Sequence, residues 1–218
     1  VRWVWALTCA IGCGRIDFDP LQPLPPPRVV NYGVVQGNDN QFEALVAQTA
    51  VAEVWVDDTT PLDATLLADI DLLIVQALYN DHTAAESAAL HAWLAAGGTL
   101  IVLAGYEPDD IAMVNLVISD LGVQYEPPIV DGPVVAFGRH PTTAGVGTLP
   151  FLGGYTLTHG AGFTDIATID TNLVGAVAEV GTGRALLWGD EWVTLDGMWS
   201  ADTIRFWTDV LGWLRRET

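Results

Sequence analysis

Residues 70–104 read IDLLIVQALYNDHTAAESAALHAWLAAGGTLIVLA, and this stretch decides the fold. Ile70 to Ala77 is apolar almost throughout, as a strand buried on both faces should be. Thr83 stands where a helix N-cap belongs, and Ala84, Ser87, Ala88, His91 and Leu94 follow at helical spacing until Gly97-Gly98 stops the run. Thr99 to Ala104 is again apolar throughout. Two buried strands joined by a helix must lie parallel, because the helix carries the chain back to the end from which it started.

The same rhythm extends outward. Val29 to Val35 reads as a strand, and Gln36-Gly37-Asn38-Asp39-Asn40 as a turn with a helix cap. Phe42, Leu45, Val46 and Thr49 give helical spacing, and Val51 to Val56 a second strand. A short helix is expected over 63–68 behind Pro61, and another over 108–121, with Pro108 in its first turn and Asp109 and Asp110 favourable at its positive end. From Val123 to Val180 the pattern changes to short strands, many glycines and turns. Arg184 to Trp188 returns to a buried strand. Ser200 or Asp202 then opens a last helix, with Ile204, Trp207, Leu211 and Leu214 on one face and Arg215-Arg216 at its negative end. The predicted fold is a flavodoxin-like α/β three-layer sandwich. It has a mostly parallel sheet, with strands near 29–35, 51–56, 70–77, 99–104 and 184–189, and a glycine-rich β insertion in the C-terminal half.

Composition narrows the function. The chain has 218 residues, half of them hydrophobic, which suits one domain with a substantial core. Its formal net charge of −19 repels nucleic-acid phosphates and anionic lipid. The basic side chains are all arginine, so a Schiff-base lysine, a P-loop lysine and a lysine general base are excluded. The two cysteines, Cys9 and Cys13, precede the domain, which leaves the folded body without a disulfide, a cysteine zinc site or a thiol nucleophile.

The first residues, Val1-Arg2-Trp3-Val4-Trp5-Ala6-Leu7-Thr8, set one arginine before an apolar run, and small residues follow up to Cys13. This is the layout of a signal peptide, and it is too short to span a bilayer. Ala10-Ile11-Gly12-Cys13 resembles the lipobox of bacterial lipoproteins, which implies cleavage before Cys13 and acylation of its thiol. Residues 13–28 are proline-rich and suit a semi-rigid spacer. The expected organisation is a signal peptide over 1–12, the lipid-bearing Cys13 and linker over 13–28, and the α/β domain over 29–218. The expected place is the cell envelope, with membrane contact through the lipid alone.

Beyond the spacer the chain resembles the class I glutamine amidotransferase-like superfamily, nearest its non-catalytic, trehalose-utilisation-type branch. The residues that carry the likeness are Asp71-Leu72-Leu73-Ile74-Val75, Trp93 to Val102, His140-Pro141-Thr142-Thr143-Ala144-Gly145 and Gly183 to Glu191. Active members carry a cysteine on the sharp turn after the strand that is here Thr99 to Ala104. This chain has Gly105-Tyr106-Glu107 there, and neither Tyr106 nor Glu107 replaces an activated thiolate. The resemblance therefore implies the fold without the amidotransferase reaction.

Ligands of open α/β sheets bind beyond the carboxyl ends of the strands. Those ends supply Asn38, Asp39, Asn40, Asn80, Asp81, His82, Tyr106 and Glu107, along with Tyr79, a set that suits a sugar or another polar ligand. The bland alternative is that Asn38 or Asp39, and Asp81 or Thr83, are helix caps. Asp190, Glu191 and Trp192 follow the last buried strand. With Asp196 these acids could hold a hard cation, though they lack the ligand spacing of a calcium loop; with Glu107 they could serve a hydrolase; or they could brace the closing helix. His82, His91, His140 and His159 show no metal-ligand spacing. Of the nine tryptophans, Trp188 and Trp207 suit the core, whereas Trp192, Trp199 or Trp213 could anchor a partner. Glu107 is expected to brace its turn through nearby backbone N–H groups, or to accept a hydrogen bond from a ligand, without covalent chemistry. The favoured function is non-catalytic binding of a glycan or an envelope protein at the carboxyl edge, with no cofactor, no metal and no nucleic acid.

Overall fold

A computed structural model describes residues 28–33, 37–48 and 52–216. The signal-peptide and Cys13 expectations lie outside these residues, as does most of the linker. Five strands form the parallel half of the sheet: β1 (Arg28–Gly33), β2 (Ala52–Val56), β3 (Leu72–Gln76), β4 (Thr99–Leu103) and β10 (Gly183–Trp188). Their order is β2-β1-β3-β4-β10, and every neighbouring pair among them is parallel. The sheet continues antiparallel through β9 (Asn172–Val180), β8 (Phe163–Ile169) and β6 (Ala136–Phe137). The strands β5 (Val123–Val130) and β7 (Gly154–His159) form a separate antiparallel pair. The glycine-rich stretch is therefore divided: three of its strands extend the main sheet and two stand apart.

The continuous apolar runs are explained by two cores. Strand side chains alternate between faces, so Leu72 and Ile74 of β3 and Ile101 and Leu103 of β4 join one cluster, while Leu73, Val75, Leu100 and Val102 join the other. The first core is covered by α1 (Asn40–Ala47) and α5 (Ala201–Leu214). There Trp188 and Trp207 are fully buried, with Phe206 packed against both rings at 5.1 Å. The second core is covered by α2 (Ala64–Leu67), α3 (Ala84–Ala95) and α4 (Pro108–Ile118). On α5 the buried stripe runs through Phe206, Trp207, Val210 and Leu211, whereas Ile204 is turned out to solvent. Of the expected face, Trp207, Leu211 and Leu214 are buried as expected, and Ile204, in the first turn, is the one residue misplaced.

The starts of α2, α3 and α5 follow local chemistry, whereas those of α1 and α4 carry no bond from their own N-cap side chain. Thr83 and Glu86 form a reciprocal capping box on α3, Asp63 caps α2 through the Thr65 and Leu66 amides, and Ser200 caps α5. Asp39 occupies the N-cap position of α1 but makes no side-chain cap bond. Asp196, distant in sequence, caps α1 instead: its carboxylate accepts from Gln41 N and Asn40 Nδ2, each at 2.8 Å.

Candidate functional site

The parallel strands β3, β4 and β10 end side by side, and the turns that follow them meet around one buried acid, Asp110. After β3 the chain turns sharply through Ala77, whose φ of +49° is unusual for a residue with a side chain. The next amide, Leu78 N–H, donates to Asp110 Oδ1 at 2.8 Å, and the Gly105 amide donates to the same carboxylate. Asp110 is the third residue of α4, and it folds back over the turn after β4 rather than standing in solvent as a helix-dipole acid would. Gly105 makes this possible. A Cβ there would collide with Asp110 Oδ2 and lie 3.2 Å from Glu191 Oε2. The turn that resembles a nucleophile turn is therefore filled from within by two carboxyl groups.

Glu191 arrives from the end of β10, where its amide donates to Ala104 O at 2.8 Å. Burial, followed by the charge of Asp110, pushes its carboxyl up to about 8. Burial likewise pushes Asp110 up to about 6, against the opposing pull of its two amide hydrogen bonds. The adjacent Asp190 is raised to about 6 by burial. Both oxygens of Asp190 are committed, Oδ1 to Trp192 N and Oδ2 to Leu152 N, each at 2.8 Å. Asp190 thus fixes the turn after β10 and ties it to the loop before β7, and Ser200 caps the closing helix that Asp190 was expected to brace.

Asp58, just beyond β2, holds the other side of the edge. It is 3% exposed and accepts from Tyr79 N at 2.6 Å, Asn80 N at 2.9 Å and Asn80 Nδ2 at 2.7 Å. These bonds leave the ring of Tyr79 half exposed, at 51%. Tyr106 is 48% exposed, with its ring beside Gly153, and Trp192 is 39% exposed. The three rings rim the buried Asp110–Glu191 pair. Burial raises the Tyr79 phenol above its usual value, and the charges of Asp110, Glu191, Glu107 and Asp58 push it the same way. Beside this rim, a cavity of about 660 Å³ is lined by Asp58, Asp63, Asn80, Asp81, Thr83 and Glu86, among others.

The structure gathers some of the expected residues and disperses others. Asn80, Tyr106, Glu107, Asp190, Glu191 and Trp192 share the edge around Asp110, and Asp81 lines the adjoining cavity. His82 is turned inward: its side chain is buried 5.9 Å from the Tyr32 ring, with Nδ1 3.4 Å from Glu86 Oε1. Asn38 and Asp39 belong to the α1 entry, where Asn38 O accepts from Asp196 N. Asp196 is committed to α1, which removes it from any joint site with Asp190 and Glu191. Glu107 is exposed at the N-cap of α4 and makes no side-chain cap bond, so Asp110 braces the turn in its place. Trp213 and Trp199 are not free anchors: Arg184 lies 4.9 Å over the Trp213 ring, and Trp199 Nε1 donates to Thr194 O. Among the described residues no group of three or more His, Cys, Asp or Glu side chains is arranged to hold a metal.

Sequence reasoning missed Asp58 and Asp110. The available signal for Asp110 was its place three residues after the N-cap, where a carboxylate can reach backward to free amides.

No family model matches the chain, and no curated protein matches it. Solved structures do. The mmIFT52 N-terminal domain superposes with a TM-score of 0.73 at 14% identity, over 85% of this chain and 96% of that one. A ThuA-like protein from Bacteroides uniformis gives 0.57 at 10% identity, over 88% and 93%. A GMP synthase protein from Thermoplasma acidophilum gives 0.54 at 9% identity, over 88% and 97%. At these identities the likeness shows the fold: a flavodoxin-like, amidotransferase-type α/β sandwich.

Proposed function

We propose that the chain is a non-catalytic binding domain of the amidotransferase-like superfamily, of its trehalose-utilisation-type branch. In this reading it is exported, anchored to a cell envelope through a lipid on Cys13, and engages a partner at the carboxyl edge of its sheet. One observation carries the reading: Asp110 and Glu191 fill the turn at Gly105, while Tyr79, Tyr106 and Trp192 stand exposed around it. A turn packed with internal carboxyl groups leaves no room for a reacting atom beside a nucleophile, whereas exposed aromatic rings give a partner surface to bury. The cavity alongside is lined by neither Glu107, Asp190 nor Glu191, so it does not bring the suggested hydrolytic acids together.

A second reading, hydrolysis by Glu191 with Asp190 and Glu107, has one observation in its favour. Glu191 is held up to about 8, and so carries a proton at neutral pH as a general acid must. Asp190 weakens it, because both of its oxygens already accept backbone N–H groups.

The test is a screen of the purified chain on a glycan array and in envelope-protein pull-downs, repeated with Trp192→Ala and paired with ester, amide and glycoside substrates. The binding reading expects saturable capture that Trp192→Ala reduces, with no turnover. Turnover that Glu191→Gln abolishes in a folded protein would replace it with the hydrolytic reading.

A further inference from the structure

The charges of this molecule are sorted along its strands. The connections at the carboxyl edge, residues 37–39, 57–63, 77–83, 104–107 and 189–200, hold nine aspartate and glutamate residues and no arginine. Four of the eight arginines lie at the opposite edge: Arg28 opens β1, Arg184 lies at the start of β10, and Arg215 and Arg216 follow α5. They are also engaged within their own chain. Arg28 lies 4.0 Å from Asp69, Arg184 pairs with Glu179 at 2.9 Å, and Arg216 donates to Thr182 O. A second copy of this chain would therefore have to break these contacts to offer Arg28, Arg184 or Arg216 to the acidic edge.

The acidic edge is also where the large rings are exposed. Tyr106, Leu152 and Trp192 are exposed on neighbouring backbone: the Tyr106 ring lies against Gly153, and the Leu152 and Trp192 amides share the Asp190 carboxylate. Tyr79 stands on the turn that Asp110 and Asp58 hold. The neighbouring cavity has carboxylates from Asp58, Asp63, Asp81 and Glu86 in its wall and no basic side chain among the described residues. Exposed rings would serve a neutral sugar and a cation equally well, but rings set among carboxylates with no internal cation favour the cation. A guanidinium fits better than an ammonium, since its plane stacks on a ring and its fork pairs with a carboxylate.

We propose that the carboxyl edge is a docking surface for an arginine-bearing segment of a partner protein. Its guanidinium groups stack on Tyr79, Tyr106 and Trp192 and pair with Glu107 and with Asp81 in the wall of the adjacent cavity. This rests on the binding reading above and narrows it to one kind of partner.

The test uses the 218-residue chain and two fluorescent probes: a peptide of alternating arginine and glycine, and maltohexaose as a neutral glycan. Binding is read by anisotropy at low and high salt. The arginine peptide is expected to bind, to weaken as salt rises, and to lose about tenfold in affinity with Tyr106→Ala/Trp192→Ala. Those substitutions leave net charge unchanged, which separates the docking surface from the general attraction of an acidic protein. Asp120→Asn/Asp170→Asn, two exposed carboxylates elsewhere on the molecule, should change affinity less than about twofold. Circular dichroism checks the folding of each variant, and Trp192→Ala alone carries the test if the double variant misfolds. Peptide binding that ignores the aromatic substitutions but falls with the remote ones would overturn the proposal. Maltohexaose binding that Trp192→Ala weakens, with no peptide binding, would overturn the arginine partner while leaving the edge as the binding surface. Failure of both probes to bind would overturn it as well.

Discussion

The carboxylate of Asp110 accepts a 2.8 Å hydrogen bond from the backbone amide of Leu78, joining the first turn of α4 to the end of β3. Both partners are buried, so the bond sets the shape of the carboxyl edge and is costly to lose. Asp110→Ala leaves the Leu78 and Gly105 amides without this acceptor, and is expected to lower unfolding free energy by about 1–3 kcal/mol. Asp110→Asn keeps one acceptor oxygen and adds no charge, so it should cost less than Asp110→Ala. Urea titrations of the two variants check the order, and equal losses would mean that the hydrogen bond is not the main contribution.

Gly105 is required for close approach. Gly105→Ala drives a methyl group into Asp110 Oδ2, so either the turn or the first turn of α4 must move. Overpacking of this kind costs about 1–3 kcal/mol. The loss should shrink in a Gly105→Ala/Asp110→Ala background, because the colliding carboxylate is then gone. A double-mutant cycle from urea midpoints measures the coupling, and strict additivity would contradict the contact.

Three buried carboxyl groups give stability an unusual pH dependence. Asp110 and Asp190 rise from 3.8 to about 6 in the folded protein, and Glu191 rises from 4.5 to about 8. Between the unfolded and folded values the folded state binds more protons than the unfolded one, so stability falls as pH rises through that window. For these groups the stabilising contribution is complete below about pH 4 and is lost by about pH 8. The thermal midpoint is therefore expected to fall between pH 5 and pH 8. Glu191→Gln should remove most of the fall above about pH 6, where Glu191 alone of the three still titrates, and should reduce but not abolish the fall below it, where Asp110 and Asp190 also contribute. A wild-type midpoint that rises across the window, or a Glu191→Gln profile parallel to wild type, would count against the buried pair.

Much of the fold was legible in the sequence for a physical reason. Strands covered on both faces must be apolar on both, and β3, β4 and β10 announce themselves as runs such as Leu72-Leu73-Ile74-Val75. The glycine-rich half was not legible in the same way. In β9, Gly175 leaves room for the Trp188 ring, a packing that no local pattern reveals. The candidate edge was legible only in part. Tyr106, Glu191 and Trp192 follow from the rule that ligands meet strand ends, but Asp109 and Asp110 look alike to any argument from the helix dipole. What singles out Asp110 is the Leu78 amide, presented by a turn 32 residues away in sequence. The same holds for Asp58, whose partners Tyr79 and Asn80 come from a different connection, and for Asp196, which caps a helix that begins at Asn40.

Anchoring is open to a direct chemical test. In the proposed reading Cys13 carries lipid and the residues before it are removed. Mass spectrometry of the membrane-fraction protein should show an N-terminal Cys13 bearing acyl chains, and Cys13→Ala should release the protein from that fraction. An intact Val1 terminus, or a soluble product unaffected by Cys13→Ala, would contradict the anchor without touching the binding surface.

The central claim, that the carboxyl edge is a binding surface rather than a reaction centre, is tested most directly by amide NMR. Labelled protein is titrated in turn with the arginine–glycine peptide and with maltohexaose, and the shift changes are mapped onto the backbone. Saturable changes concentrated at residues 78–81, 105–107, 152–153 and 191–192, with the added probe chemically intact at the end, are the predicted result. Changes centred on the opposite edge near Arg28, Arg184 and Arg216, or conversion of the probe during the titration, would contradict it.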